Sequence, residues 1–179
     1  MKKVGFLADT HSAKPDGSDL PDKVLEAFAG VDLIVHLGDV GRKGILDRLA
    51  AVAPVLVPVG GNKGYVPASG EGEAVYVLDT GKTSIGLTFN LAQPDKKISV
   101  GDTLEFAGEP SAKLFKRRFK QEHVDVVAFA GTHTQMEQVH DGVLFLNPGS
   151  PTLPMPGHNA GVAILNVAGP KPRVKFAVW

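Results

Sequence analysis

Three short stretches carry side chains suited to holding a cation. Asp9-Thr10-His11 follows the apolar run VGFLA, Gly38-Asp39 follows VDLIVHL, and Gly61-Asn62 follows PVLVPVG. A carboxylate with an imidazole is a common beginning for a zinc, iron or manganese site. Asp9 and His11 are two apart, so on an extended strand end both would project to the same side. Gly38 allows a sharp turn that aims Asp39 into the same crevice, and Asn62 offers a neutral carbonyl oxygen. A fourth stretch, Phe129-Ala-Gly-Thr-His-Thr134, brings His133 to a glycine turn after the apolar run VDVVA. Recurrence of such groups at successive strand ends carries more weight than any one of them.

The elements that must position these groups alternate in type. KVGFLAD, VDLIVHLGD and PVLVPVGGN are continuous apolar strands. LPDKVLEAFAG and RKGILDRLAAV between them have helical spacing. That alternation predicts βαβ units and a parallel sheet, whose ligands bind beyond the carboxyl ends of the strands. The second half reads differently. EAVYVLD and TSIGLTF form a hairpin around Thr80-Gly81-Lys82, and SAKLFKRRFKQEH is a helix with Leu114, Phe115 and Phe119 inward. Five further strand-like runs end the chain. Tight turns between them suggest antiparallel pairing, so the expected fold class is α/β: two mixed β-sheets packed face to face, with helices outside. One domain spanning 1–179 is expected, with the glycine-rich stretch from Gly60 to Glu73 as a candidate mobile loop.

Composition narrows the function classes. Nineteen basic and nineteen acidic residues give a formal net charge of zero, which argues against a dominant nucleic-acid or anionic-membrane surface. Without cysteine there are no disulfides, thiolate metal sites or cysteine nucleophiles. The apolar run after Lys2-Lys3 is too short for a signal-peptide core, and no later run approaches a membrane span. A cytoplasmic protein is expected.

With "LADTHS" at 7–12, "VHLGDV" at 35–40, "VGGN" at 59–62 and "NPGSP" at 147–151 in this order, the chain resembles the calcineurin-like metallophosphoesterases. The resemblance is to their small branch of phosphodiesterases and the related retromer subunit. It implies the two-sheet α/β sandwich. It also implies two divalent metals bridged at Asp39, which activate water for attack on phosphorus. Asp9 and His11 would then serve the first metal and Asn62 the second.

The departures from the family pattern fall on ligands. Phe89 stands where a histidine of the second metal belongs, and Lys63-Gly64 follows Asn62 in place of His-Asp or Cys-Asp. Aligned from Gly131, the family's Gly-His-Thr-His becomes Gly-Thr-His-Thr. Thr132 and Thr134 then take the ligand positions, and His133 faces away if the backbone is extended. A shift of one residue would bring His133 in. Asp9, His11 and Asp39 are therefore expected to hold at most one divalent metal (Mn, Zn or Fe), with Asn62 orienting phosphate or water as the catalytic candidate. Lys63 is an alternative built-in cation.

Two readings stay open: weak one-metal hydrolysis of a phosphodiester or phosphomonoester, or a non-catalytic scaffold or an anion- or nucleotide-binding module. A phosphate ester or anion and a protein are the candidate partners. Among the remaining groups, His36 reads as a core histidine and His158 as a loop residue that could substitute for a ligand. His123 and His140 read as surface residues, and Lys116-Arg117-Arg118-Lys120 as a solvated helix face. Asn147-Pro148-Gly149-Ser150 reads as a turn beside the site.

Overall fold

Strands with apolar residues on both faces need cover on both sides, and the first two strands have it. In the computed structural model, which describes residues 1–58, 76–92, 97–108 and 111–179, β1 (Lys3–Leu7) and β2 (Leu33–His36) pair in parallel, Val4 opposite Leu33. Between them runs α1 (Asp22–Ala27), and α2 (Gly44–Ala50) leads from β2 to β3 (Val55–Leu56). Asn62, Lys63 and the stretch from Gly60 to Glu73 lie outside the described residues.

The chain continues through β4 (Tyr76–Asp79), β5 (Ser84–Leu87), β6 (Ile98–Val100) and β7 (Leu104–Phe106) to α3 (Ser111–Phe119). Five strands end it: β8 (Val126–Ala128), β9 (Gln135–His140), β10 (Val143–Pro148), β11 (Gly161–Asn166) and β12 (Arg173–Val178). One sheet has the order β12-β11-β1-β2-β3 and the second β4-β5-β8-β10-β9, while β6 and β7 form a separate hairpin. The architecture is thus two five-stranded mixed sheets with few helices. The hairpins β4–β5, β9–β10 and β11–β12 are antiparallel. The expectation of antiparallel pairing throughout the second half is corrected at β8, which runs parallel to both β5 and β10. Its VVA core is buried on both faces, as a central parallel strand requires.

Three apolar layers hold this together. Phe6, Val35 and Leu37 of the first sheet meet Ile85, Val126 and Leu146 of the second. Val24, Phe28, Ile45 and Leu49 cover the outer face of the first sheet, and Phe115 and Phe119 cover that of the second, against Phe129 and Phe145. Leu114's side chain lies outside what is described. Arg118 departs from the solvated face expected of its helix: it is only 9% exposed and donates to the carbonyls of Leu91 and Asn90. Its guanidinium ties α3 to the segment just beyond Phe89. Lys116 does meet solvent, paired with Glu122.

Candidate metal centre

Beyond the carboxyl ends of β1 and β2, two loops continue side by side. Leu37 N–H donates to Leu7 O at 2.9 Å, Asp9 N–H to Gly38 O at 3.0 Å, His11 N–H to Asp39 O at 2.9 Å, and Ser12 N–H to Val40 O at 3.0 Å. Thr10 lies between the loops, its hydroxyl donating to Val40 O at 2.9 Å and lying 2.8 Å from His36 Nε2. His36 Nδ1 accepts the Gly38 N–H at 3.3 Å, so Nε2 carries the ring proton. Burial holds His36 neutral, its pKa pushed down to about 3. His36 braces both loops from within the core rather than facing the site.

Asp9, His11, Asp39 and His133 have φ of 52°, 44°, 54° and 57°, four of six non-glycine residues with positive φ among the described residues. Such backbone costs on the order of 1–3 kcal/mol each and persists where surroundings enforce it. This also corrects the reasoning from strand alternation. β1 ends at Leu7 and β8 at Ala128, so neither Asp9-His11 nor His133 is on extended chain. Asp9 and His11 converge because both turn left-handed, and His133, instead of facing away, turns inward beside them.

One ligand atom each from Asp9, His11 and His133 lie within 4.8 Å of one another. His11 Nε2 is 3.4 Å from His133 Nε2 and 3.4 Å from Asp39 Oδ2, and His133 Nε2 is 3.9 Å from Asp9 Oδ1. The two imidazoles stack, their centroids 5.2 Å apart. Asp39 borders the trio through His11. Asp9 is fully buried; its Oδ2 accepts the Gly131 N–H at 3.0 Å, while its Oδ1 has no hydrogen-bond partner. Burial is the main cause that raises the Asp9 carboxyl to about 6. The nearby Asp39 charge adds to it, against the Gly131 amide and the two imidazoles.

The turn after β10 fixes the fourth side. His133 Nδ1 donates to Leu153 O at 2.6 Å, and Met155 N–H donates to His133 O at 3.2 Å. Ser150 Oγ donates to Asp9 O at 2.7 Å, and Thr152 Oγ1 to Thr10 O at 2.8 Å. Asn147 holds the turn, donating to Thr132 Oγ1 at 3.0 Å and accepting the Gly149 N–H at 2.9 Å. Sequence reasoning placed this turn beside the site without assigning the hydroxyls or the Leu153 carbonyl their partners. Nothing in a sequence marks a backbone carbonyl as an imidazole acceptor.

Phe89 closes the remaining side. A Cβ added to Gly38 would stand 2.5 Å from its ring, and one added to Gly131 3.3 Å away, so the ring fills the space between the two glycine turns. Thr132 and Thr134 bond locally: Thr134 N–H donates to Thr132 Oγ1 and Thr134 Oγ1 to Thr132 O. His158 is exposed and His123 pairs with Asp125. His140 is half-buried, stacked on Phe106 at 3.9 Å, rather than a free surface residue.

The donor set fits a divalent cation. A buried carboxylate oxygen without a hydrogen-bond donor faces an imidazole nitrogen whose ring proton is engaged on the opposite side. A second imidazole and a second carboxylate lie within reach.

Comparison with known proteins agrees with the fold and places the chain in a family. Residues 1–169 match the model of the calcineurin-like phosphoesterase superfamily domain. A probable metallophosphoesterase of Methanocaldococcus jannaschii is 34% identical over 153 residues, covering 84% of this chain and 69% of that protein. Among solved structures, Vps29 of Entamoeba histolytica complexed with zinc superposes with a TM-score of 0.66 at 17% identity, covering 98% of each chain. A novel archaeal phosphodiesterase gives 0.63 at 19% identity, covering 98% of this chain and 99% of its own. At these identities the two structures speak to fold, and the family rests on the domain match and the archaeal relative. The chain belongs to the calcineurin-like phosphoesterase superfamily.

Proposed function

We propose that this chain is a phosphoesterase with one divalent metal, held by Asp9, His11 and His133 with Asp39 beside them, and that the family's second metal position is eroded. The observation that carries this reading is the convergence of the three ligand atoms around an unpartnered buried oxygen of Asp9. His133 supports the register shifted by one residue, in which Thr132-His133 matches the family's Thr-His and Gly131 replaces the other histidine. Phe89 replaces a further one, so the space where a second cation would be held is lined by a phenyl ring and a glycine. Asn62 remains the candidate for orienting phosphate or water.

A divalent ion in this set supplies Lewis acidity toward a phosphoryl oxygen and lowers the pKa of water beside it. The protein's own contribution is preorganisation. Asp9 gives up its proton to bind a cation, the Leu153 carbonyl keeps the His133 proton on Nδ1, and the paired loops hold His11 against Asp39. With no general acid beside the site among the described residues, esters with a good leaving group are favoured. A cytoplasmic setting fits the absence of cysteine. Among the described residues, no helix is long and apolar enough to cross a membrane.

The test is hydrolysis of bis-p-nitrophenyl phosphate with Mn²⁺. Metal-dependent turnover that falls at least about 100-fold in Asp39→Asn is expected, and turnover unchanged in that variant would sink the proposal. A second reading, a scaffold on the same fold, is favoured by Phe89 and by the exposed Leu153 and Met155 at the rim. It expects no turnover, and a protein partner seated over that rim.

A further inference from the structure

The opposite end of β1 carries a second cavity, unrelated to the metal centre. It lies between the end of α1 and strands β11 and β12, has a volume of about 390 Å³, and is lined by Lys3, Asn166, Arg173 and Lys175 over a floor that includes Ala27 and Ile164. Lys3 begins β1 and Asp9 lies in the turn beyond its other end, so this cavity and the metal centre lie at opposite ends of that strand.

Strand register explains the clustering. Lys3 faces Asn166, and Asn166 faces Arg173, so these three form one row across the sheet. Ile164 faces Lys175 in the next row on the same face, because residues two apart on a strand share a side. α1 covers this face as far as Phe28, which packs on Gly5, and leaves the β12 side open. Three cations therefore rim one apolar-floored groove in a chain of zero net charge. None of the cavity's lining residues is acidic. Among the described residues, no ion pair engages Lys3, Arg173 or Lys175. The adjacent Asp32 spends its carboxylate on the main-chain N–H groups of Lys2 and Lys3.

We propose that this groove binds a small phosphorylated ligand with an apolar or aromatic moiety, a nucleoside phosphate in kind. Arg173 and Lys175 grip the phosphates, Lys3 closes the far side, and the floor at Ala27 and Ile164 takes the ring. Arg offers a planar fork suited to phosphate oxygens, and lysine a point charge. The bland alternative is that β12, an edge strand, carries cations only to discourage pairing with other edges.

Titration calorimetry with ADP in EDTA separates the two, because the metal centre then has no cation to offer. One saturable site is expected, weakened roughly tenfold in Arg173→Ala and in Lys175→Ala. Binding should be unchanged in Asp39→Asn and tighter for ADP than for tripolyphosphate. Arg173→Lys should recover part of the loss, and thermal melts of the exposed-site variants should match the parent. Absence of saturable binding at millimolar ADP overturns the proposal. So does loss of binding in Asp39→Asn, equal affinity for tripolyphosphate, or a single-stranded oligonucleotide that binds more tightly than ADP.

Discussion

His133 donates its Nδ1–H to the carbonyl of Leu153 at 2.6 Å and turns Nε2 to within 3.9 Å of the unpartnered Asp9 oxygen. The imidazole is thereby fixed in tautomer and direction by a loop 20 residues away in sequence. A carbonyl behind a ligating imidazole raises the basicity of the coordinating nitrogen and restricts the ring's rotation.

His133→Ala removes one of three converging ligand atoms and the anchor of the Leu153 loop together. Losing an outer-shell partner of a metal site costs about 10–100-fold in affinity, so loss of the ligand itself should exceed about 100-fold. Equilibrium competition against a chelator measures it. An affinity equal to the parent's would remove His133 from the site.

The pH dependence of stability in the metal-free protein follows from two buried groups displaced in opposite directions. Asp9 is raised from 3.8 to about 6, so its contribution is full below pH 3.8 and lost as pH rises through 6. His36 is lowered from 6.5 to about 3, so its contribution is full above pH 6.5 and lost as pH falls through 3. The two oppose each other between about pH 6 and 4; below that His36 is joined by Asp16 and Asp32, whose carboxyls the main-chain N–H groups of Ser18 and of Lys3 and Lys2 hold low, so all act in one direction. Chemical denaturation in EDTA should show a nearly flat midpoint from pH 6 to 4 and then a steep fall. In Asp9→Asn the midpoint should instead decline steadily across that interval.

Gly38→Ala tests the packing behind the site. Its φ is 141°, a region closed to residues with a Cβ, and the new methyl would meet the Phe89 ring at 2.5 Å. A loss of more than about 2 kcal/mol is expected from strain and overpacking together, read by denaturant midpoint. Pairing it with Phe89→Ala should remove the overpacking part and leave the strain, a non-additivity that a double-mutant cycle resolves.

Arg118→Ala strips the donors from two carbonyls, Asn90 O and Leu91 O. The expected loss is about 2–3 kcal/mol, since bonds from a charged group are worth more than neutral ones. Arg118→Lys should not restore it, because an ammonium lacks the fork that reaches two acceptors at once.

Much of this was legible in the sequence, and for physical reasons. Continuous apolar runs ending at Asp9 and Asp39 mark buried parallel strands with polar loops at their carboxyl ends, and the structure brings those loops into register through Thr10 and His36. What was not legible was the direction of His133. Alternation of side chains holds only on extended chain, and a positive φ at a histidine has no signature in residue type alone. Arg118 escaped for a related reason: a run of four cations on a helix reads as solvated until a neighbouring segment offers it bare carbonyls. The parallel pairing of β8 was hidden by the tight turns around it, which reveal local hairpins but not which strands lie between distant ones.

The central claim is a count of one. Elemental analysis of protein purified without chelator and reloaded with Mn²⁺ or Zn²⁺, with anomalous scattering to locate the ion, tests it most directly. The expected result is one metal per chain beside Asp9, His11 and His133, abolished in Asp9→Ala. Two metals per chain, or none at this position after loading, would contradict it.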